Sequence, residues 1–248
     1  VRHFGLIGYP LSHSFSQGYF KQKFDNENIL DAQYVNYPIP AIADFKHLWE
    51  DEQLQGLNVT IPYKKEVIPF LQFPSAVVKL INACNCIRKF NGALYGYNTD
   101  VIGFENSLLP FLKPHHKHAL ILGTGGASAA VEWVLQKLNI SYHIVSRTLG
   151  GGKINYDQVT PSLLATHTLI INTSPLGMSP NVNEAPALPY EAIGAAHHLY
   201  DLIYNPSETL FLQQGAAQGA TVQNGLEMLH IQAEKSWEIW NAATPVIQ

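Results

Sequence analysis

Two stretches of this 248-residue chain place residues of chemically useful type at chemically useful spacing. The first is Leu120 to Ala130, Leu-Ile-Leu-Gly-Thr-Gly-Gly-Ala-Ser-Ala-Ala. The apolar run His118 to Leu122 reads as a buried strand, breaks at Gly123 and Gly125, and gives way to a helical pattern from Ala127 to Leu138. A strand, a glycine turn and a helix make an anion site. The glycines allow a tight bend and close approach to a pyrophosphate, and the helix start offers free N–H groups and its positive dipole end. Ser128 stands where the fingerprint has its third glycine, so the same run also fits a plain strand-to-helix connection. About 20 residues beyond such glycines an NAD site carries a carboxylate for the ribose hydroxyls. Here the strand ends in Ser146-Arg147-Thr148, a cation between two hydroxyls. That set suits a 2′-phosphate, so NADP is the expected cofactor, the alternative being that Arg147 is a solvated surface charge.

The second stretch is Gly56-Leu57-Asn58-Val59-Thr60-Ile61-Pro62-Tyr63-Lys64-Lys65, read as a strand ending at Pro62 with the lysines opening a helix. Lysine in a first helical turn opposes the dipole, so its presence there asks for a reason. Proton transfer is one, and a solvated pair is the other. Asp100, after Gly96-Tyr97-Asn98-Thr99, suits an N-cap on local grounds. Ser14 and Ser16 follow the strand Phe4 to Gly8 and precede a helix to about Asn28. They fit either a carboxylate site or helix capping, and the local sequence favours capping.

The elements that must hold these residues alternate strand and helix. Strands are expected at Gln33–Tyr37, Ala83–Arg88, Ala93–Tyr97, Tyr142–Ser146, Leu169–Asn172, Leu199–Ile203 and Ala220–Val222. Helices are expected at Ala41–Trp49, after Gly103 to about Leu112, and at Leu226–Trp240. The turn Leu149-Gly150-Gly151-Gly152 stands where a dinucleotide fold would place a helix, so that crossover is expected to be short. Pro114 and its flanking histidines mark a linker, which ends a first domain near residues 100–113.

Composition narrows the class. A net charge of −4 without a Lys/Arg cluster gives no footprint for nucleic acid. No apolar run is long enough to span a bilayer and no signal-peptide pattern opens the chain, so a soluble cytoplasmic protein is expected. Cys84 and Cys86, two apart on one strand, would share a face and form no disulfide framework. The histidines at 115, 116, 118, 197 and 198 lack metal-type spacing to them; no metal is expected, and these histidines read as solvated.

With these stretches in place, the chain resembles the shikimate dehydrogenase family from Gly8 to Trp240. Gly8, Pro10, His13, Ser14 and Ser16 fit its G-x-P-x-x-H-S-x-S-P loop, and Gly56 to Lys64 is similar to its G-x-N-V-T-x-P-F-K, with Tyr63 for Phe. Asn85 falls in its A-V-N-T, Asn98-Thr99-Asp100 matches N-T-D, and Ser146-Arg147-Thr148 resembles N-R-T. Asn172 to Met178, Asp201 to Tyr204 with Pro206, and Gly225 with Met228, Leu229, Gln232 and Ala233 complete the series. Gln17 replaces a family proline, Ser146 an asparagine, and Gly150 to Gly152 removes a basic residue often found there, with Lys153 beside it.

The resemblance implies a two-domain α/β fold: an N-terminal substrate domain with a mostly parallel sheet, residues 1–100 completed by the C-terminal helix at about 226–248, and a Rossmann-like NADP-binding domain at 101–225. It implies an NADP-dependent oxidoreductase of the shikimate pathway, interconverting 3-dehydroshikimate and shikimate, with Lys64 as acid/base and Asp100 as its partner. Ser14, Ser16, Thr60, Asn85, Tyr204 and Gln232 would hold the substrate. Gly123, Gly125, Gly126 and Ala127 would cradle the pyrophosphate, Ser146, Arg147 and Thr148 the 2′-phosphate, and Met178 and Gly225 would border the nicotinamide. Partners are then small molecules, with the oligomeric state open between monomer and homodimer. Two rivals stand beside this reading: a quinate/shikimate dehydrogenase using NAD, and a non-catalytic sensor of shikimate-like acids, against which intact Lys64 and Asp100 argue.

Overall fold

In the computed structural model, residues 1–11, 14–148 and 150–246 are described. His13 of the first loop, with Ser12 and Leu149, lies outside them. The chain divides into two compact units, one of residues 1–99 with 232–248 and one of residues 100–231.

The first unit is built on strands β1 (Arg2–Gly8), β2 (Ala32–Pro38), β3 (Leu54–Val59), β4 (Phe73–Pro74), β5 (Cys86–Phe90) and β6 (Ala93–Tyr97). Their order across the sheet is β2-β1-β3-β5-β6-β4. β1 is parallel to both β2 and β3 and β6 is parallel to β4, whereas β5 runs antiparallel to β3 and β6. The β5–β6 hairpin turns at Asn91-Gly92, both in the left-handed region, the geometry that Asn-Gly accommodates with least strain. Both faces of this sheet are covered, so β1 is apolar almost throughout and successive side chains enter different cores. Phe4 and Leu6 face α1 (Phe15–Asn26) and the C-terminal helix, meeting Phe20, Phe24 and Trp240. Ile7, with Leu57 and Val59, joins a second core with Phe45 of α2 (Phe45–Leu48) and Val78 of α3 (Ala76–Ile81).

Two readings of this region are corrected. The lysines open no helix: residues 61–67 form consecutive turns before a 3₁₀ turn at Ile68–Phe70. Pro69 has no N–H with which to continue a helix begun after Pro62, and the segment stays in turns. Lys64 therefore has no helix of its own whose dipole could oppose it. Nor do the two thiols share a face. β5 starts at Cys86, so Cys84 precedes the strand's alternation and packs with Leu57 and Ile87, while Cys86 packs with Phe4 and Trp240.

The second unit is a wholly parallel sheet of β7 (His118–Leu122), β8 (Ser141–Val145), β9 (Leu169–Asn172), β10 (His198–Asp201) and β11 (Thr221–Gln223), in the order β11-β10-β9-β7-β8. Helix α4 (Thr99–Leu108) precedes it, α5 (Ser128–Lys137) follows β7, α7 (Leu210–Ala217) connects β10 to β11, and α8 (Leu226–Asn241) follows β11. The crossover from β8 to β9, residues 146–168, is no shorter than the one from β7 to β8, residues 123–140; only its helix is reduced. Past the left-handed Gly150, Gly151 and Gly152 it holds a 3₁₀ turn at Tyr156–Gln158 and the single-turn α6 (Pro161–Leu164). α4 begins at Thr99, earlier than the sequence suggests, so Asp100 lies inside its first turn and is not the N-cap. Of the histidines read as solvated, His116, His197 and His198 are buried; only His115 and His118 are exposed.

Candidate active site

Parallel strands bind ligands at their carboxyl ends, where the strand order reverses. Each unit has such a point. In the first, β1 lies between β2 and β3, and its exit loop meets that of β3: the Thr60 N–H donates to the Ile7 carbonyl (2.9 Å) and the Tyr9 N–H to the Ile61 carbonyl (3.1 Å). A Cβ on Gly8 would strike Thr60 and Leu11, so only glycine lets the two exits touch. Thr60 is half-buried there.

Ser14 sits at the N-cap of α1 but its side chain makes no capping bond. Its hydroxyl oxygen is buried and has no hydrogen-bond partner among the described residues. The capping reading is therefore overturned. A buried hydroxyl left unsatisfied costs about 1–3 kcal/mol, which a ligand acceptor would recover. Ser16 hydrogen-bonds the Tyr34 hydroxyl, whose pKa burial drives up.

From Tyr34 a polar network runs through the apolar interior of the unit. The Tyr34 hydroxyl donates to Asn58 Oδ1 (2.9 Å), and Asn58 Nδ2 donates to Ser236 Oγ (2.9 Å) and to the Asn85 carbonyl (3.3 Å). Ser236 Oγ lies 3.3 Å from Thr99 Oγ1 and donates to the Gln232 carbonyl (2.9 Å). Thr99 then fixes Asn85 from both sides: its N–H donates to Asn85 Oδ1 (2.6 Å) and its Oγ1 accepts from Asn85 Nδ2 (3.0 Å). Thr99 Oγ1 also lies 3.4 Å from Gln232 Oε1. Of the substrate residues expected from the sequence, Ser16, Asn85 and Gln232 are thus joined in one network. Tyr34 and Ser236 were not singled out in the sequence, and Asn58 and Thr99 stood there only as members of the matched motifs, with no role given. Asn58 also shows as a polar residue inside an apolar run, between Leu57 and Val59.

Lys64 is half-buried and its carbonyl is held by the Cys84 N–H at 2.7 Å, whereas Lys65 is exposed. Asp100 is buried in the first turn of α4, where the dipole favours a carboxylate.

In the second unit the reversal lies between β7 and β9. Gly123, with φ +102°, faces Ser174, where an added Cβ would come within 3.0 Å; Gly125 has the Thr173 carbonyl at 3.1 Å. Around Gly126 there is open space. The loop after β9 is fixed by Asn172, whose Oδ1 accepts from the Ser174 N–H (3.0 Å) and hydroxyl (2.6 Å). Asn172 Nδ2 in turn donates to Asp201 Oδ1 (3.0 Å). Asp201, fully buried, also accepts from Thr209 Oγ1 (2.6 Å) and the Ile203 N–H (3.0 Å), yet burial pushes its pKa up to about 6. A chain of bonds from Asp201 to Ser174 thus shapes the wall that the glycine turn packs on.

Ser146 is buried and its Oγ accepts from the Thr148 N–H (3.1 Å), a turn that leaves Arg147 and Thr148 exposed at the end of β8. Met178 is 47% exposed on the loop after β9. Tyr204, half-buried on the loop after β10, has its phenol pKa raised by burial. Gly225 touches the Leu202 backbone so closely that no Cβ would fit. Ala127 occupies the N-cap position of α5. Among the described residues no group of three or more His, Cys, Asp or Glu could hold a metal ion, and no helix is long and apolar enough to cross a membrane.

The parallel order with a glycine turn at its reversal, joined to a mixed sheet with a polar site at its own reversal, defines a two-domain α/β protein of the dinucleotide-binding class. Comparison with known proteins narrows the class. Residues 6–87 match the family model described as shikimate dehydrogenase substrate binding domain. The shikimate dehydrogenase (NADP(+)) of Carboxydothermus hydrogenoformans is 36% identical over 98% of this chain and 93% of its own. Among solved structures, a chorismate mutase/shikimate 5-dehydrogenase fusion protein from Clostridium acetobutylicum superposes with a TM-score of 0.88 at 34% identity, covering 97% of this chain and 91% of that one. Shikimate 5-dehydrogenase from Thermus thermophilus, solved with NADP(H) and shikimate, gives 0.86 at 27% identity over 99% and 95%. The chain belongs to the shikimate dehydrogenase family.

Proposed function

We propose that this protein is an NADP-dependent shikimate dehydrogenase, reducing 3-dehydroshikimate to shikimate reversibly in aromatic amino acid biosynthesis. The observation that carries the reading is the pair of strand-end sites, a glycine turn on a parallel sheet and a hydrogen-bonding network on a mixed one, in a chain that matches NADP(+)-named relatives over nearly its whole length. Residues 1–100 with the C-terminal helix form the substrate domain, and residues 101–225 the NADP domain. The enzyme works in the cytoplasm on small molecules.

The residues present fit NADP. Open space at Gly126 and tight packing behind Gly123 and Gly125 leave room for a pyrophosphate in front of the turn and none behind it. The exposed Arg147, with Ser146 bending the chain beneath it, offers a fork of donors to a 2′-phosphate. Ser146 and Thr148 flank it, Ala127 continues the pyrophosphate cradle, and Met178 and Gly225 border the nicotinamide. Bound NADPH would supply the hydride that the reduction needs.

The protein's own part is orientation and one proton. As hydride adds to the carbonyl carbon, the carbonyl oxygen gains charge and takes a proton from the Lys64 ammonium, giving the alcohol. In the oxidation Lys64 takes that proton back. Asp100 serves as the partner that orients the ammonium. Ser14 and Ser16 receive the substrate carboxylate with Tyr204, while Thr60, Asn85 and Gln232 hold ring hydroxyls. A site built from such donors rejects analogues that leave them unpaired.

Initial rates with shikimate and quinate, each against NADP and NAD, test this. The highest kcat/KM is expected for shikimate with NADP. Preference for quinate with NAD would establish the related dehydrogenase instead, and no turnover of any pair would leave the sensor reading.

A further inference from the structure

The network inside the first unit joins groups assigned to substrate with groups that have no such assignment. Ser236, fully buried on α8, lies one turn beyond Gln232. Its single proton goes to the Gln232 carbonyl, and its oxygen accepts from Asn58 Nδ2. The contact with Thr99 at 3.3 Å must then be donated by Thr99. Asn58 in turn is bonded at both ends of its amide, to Tyr34 through Oδ1 and to Ser236 and the Asn85 carbonyl through Nδ2. This fixes which way its amide points. Asn85 is likewise fixed, because Thr99 offers it both an N–H and an acceptor oxygen.

We infer that Ser236 is a positioning residue for substrate: with Asn58 and Thr99 it sets the side chain of Asn85 against the α8 backbone at Gln232 and, through Tyr34, in register with Ser16. The inference rests on the proposed function. Sequence separation shows why a shared anchor is needed. Asn85 precedes β5, Gln232 is on α8 and Ser16 on α1, and nothing local aligns three such elements. A buried polar cluster with every member bonded has few alternative arrangements, so it holds its outer groups still. The Ser236 hydroxyl is the point where the α8 branch joins the other two.

Ser236→Ala removes one oxygen from the interior and leaves Asn58 Nδ2 with only the 3.3 Å bond to the Asn85 carbonyl. The variant is expected to raise KM for shikimate about tenfold while kcat and KM for NADP stay within about twofold. In a double-mutant cycle with Asn85→Ala the two losses should fall short of additive, because Ser236 acts through Thr99 on the Asn85 side chain. A residue that merely stabilised the fold would lower the unfolding midpoint and add its effects independently. Tyr34→Phe, which deletes a hydroxyl from the other end of the network without leaving a large cavity, serves as the second variant. It should raise KM for shikimate in the same sense and couple to Ser16→Ala. An unchanged KM in both variants, or strict additivity in both cycles, overturns the inference. Wild-type protein inert toward shikimate and NADP would instead remove the functional reading, and this inference with it.

Discussion

Lys64 and Lys65 are neighbours in sequence, yet the fold treats them differently: one is half-buried with its backbone tied to Cys84, the other is exposed. General acid–base catalysis contributes about 10²–10⁴-fold. Lys64→Ala should therefore lower kcat by that order with KM for shikimate nearly unchanged, whereas Lys65→Ala should leave both within about twofold. Steady-state kinetics read the difference, and a Lys64→Ala enzyme with full turnover would remove the lysine from the mechanism. Arg147 makes a separate prediction. In the proposed reading its charge serves a 2′-phosphate, so Arg147→Ala should raise KM for NADP by roughly tenfold or more and leave KM for NAD unchanged. Equal losses with both cofactors would mean that Arg147 supports the loop and not the phosphate. The sequence offers these residues as candidates because their signals are local: a glycine turn, a cation at a set distance beyond it, a lysine after a strand. The network through Tyr34, Asn58, Thr99 and Ser236 was not legible, because its members work through partners distant in sequence, 24 residues away for Tyr34 and Asn58 and 178 for Asn58 and Ser236.

Elements explain which readings held and which failed. Alternating strands and helices with short connections dictated the α/β class, and the strand at β7 was bounded by punctuation on both sides. The segment after β3 was misread because six residues between two prolines carry no usable period. Where α4 begins was also missed: Asn98-Thr99-Asp100 looks like a cap, but Thr99 already spends its N–H on Asn85, so the side chain of another segment caps that helix. Glycines separate by the same criterion of environment. A Cβ at Gly225 would run into the Leu202 carbonyl, which is backbone and cannot swing aside, whereas at Gly126 it would meet nothing. Gly225→Ala should destabilise the protein by roughly 1–3 kcal/mol, read as a lower urea midpoint. Gly126→Ala should change stability by no more than about 0.5 kcal/mol while raising KM for NADP several-fold. If Gly126→Ala left NADP binding intact, the turn would be a structural connection only.

For the molecule as a whole, stability against pH follows from two buried groups that pull in opposite directions. Burial pushes Asp201 up to about 6 from 3.8, so between those values the folded state keeps a proton that the unfolded chain has released. Stability from this group is lost as pH rises through the window, by on the order of 3 kcal/mol. Burial pushes His198, stacked on Phe111 and bonded to Gln223, down to about 4 from 6.5. Here the unfolded chain holds the extra proton, so stability is gained as pH rises, by a similar amount. His116 and His167, both lowered by burial, act in the same sense as His198. Between about pH 4 and 6 the wild-type curve is thus a balance tilted toward a rise. Asp201→Asn deletes the falling contribution and should steepen that rise; His198→Gln deletes most of the rising one and should flatten or invert it. Urea midpoints at pH 4, 5, 6 and 7 for the three proteins give the slopes directly. An Asp201→Asn slope equal to wild type would show that the carboxylate is already ionised throughout this range, its three donors outweighing the burial that otherwise holds its proton.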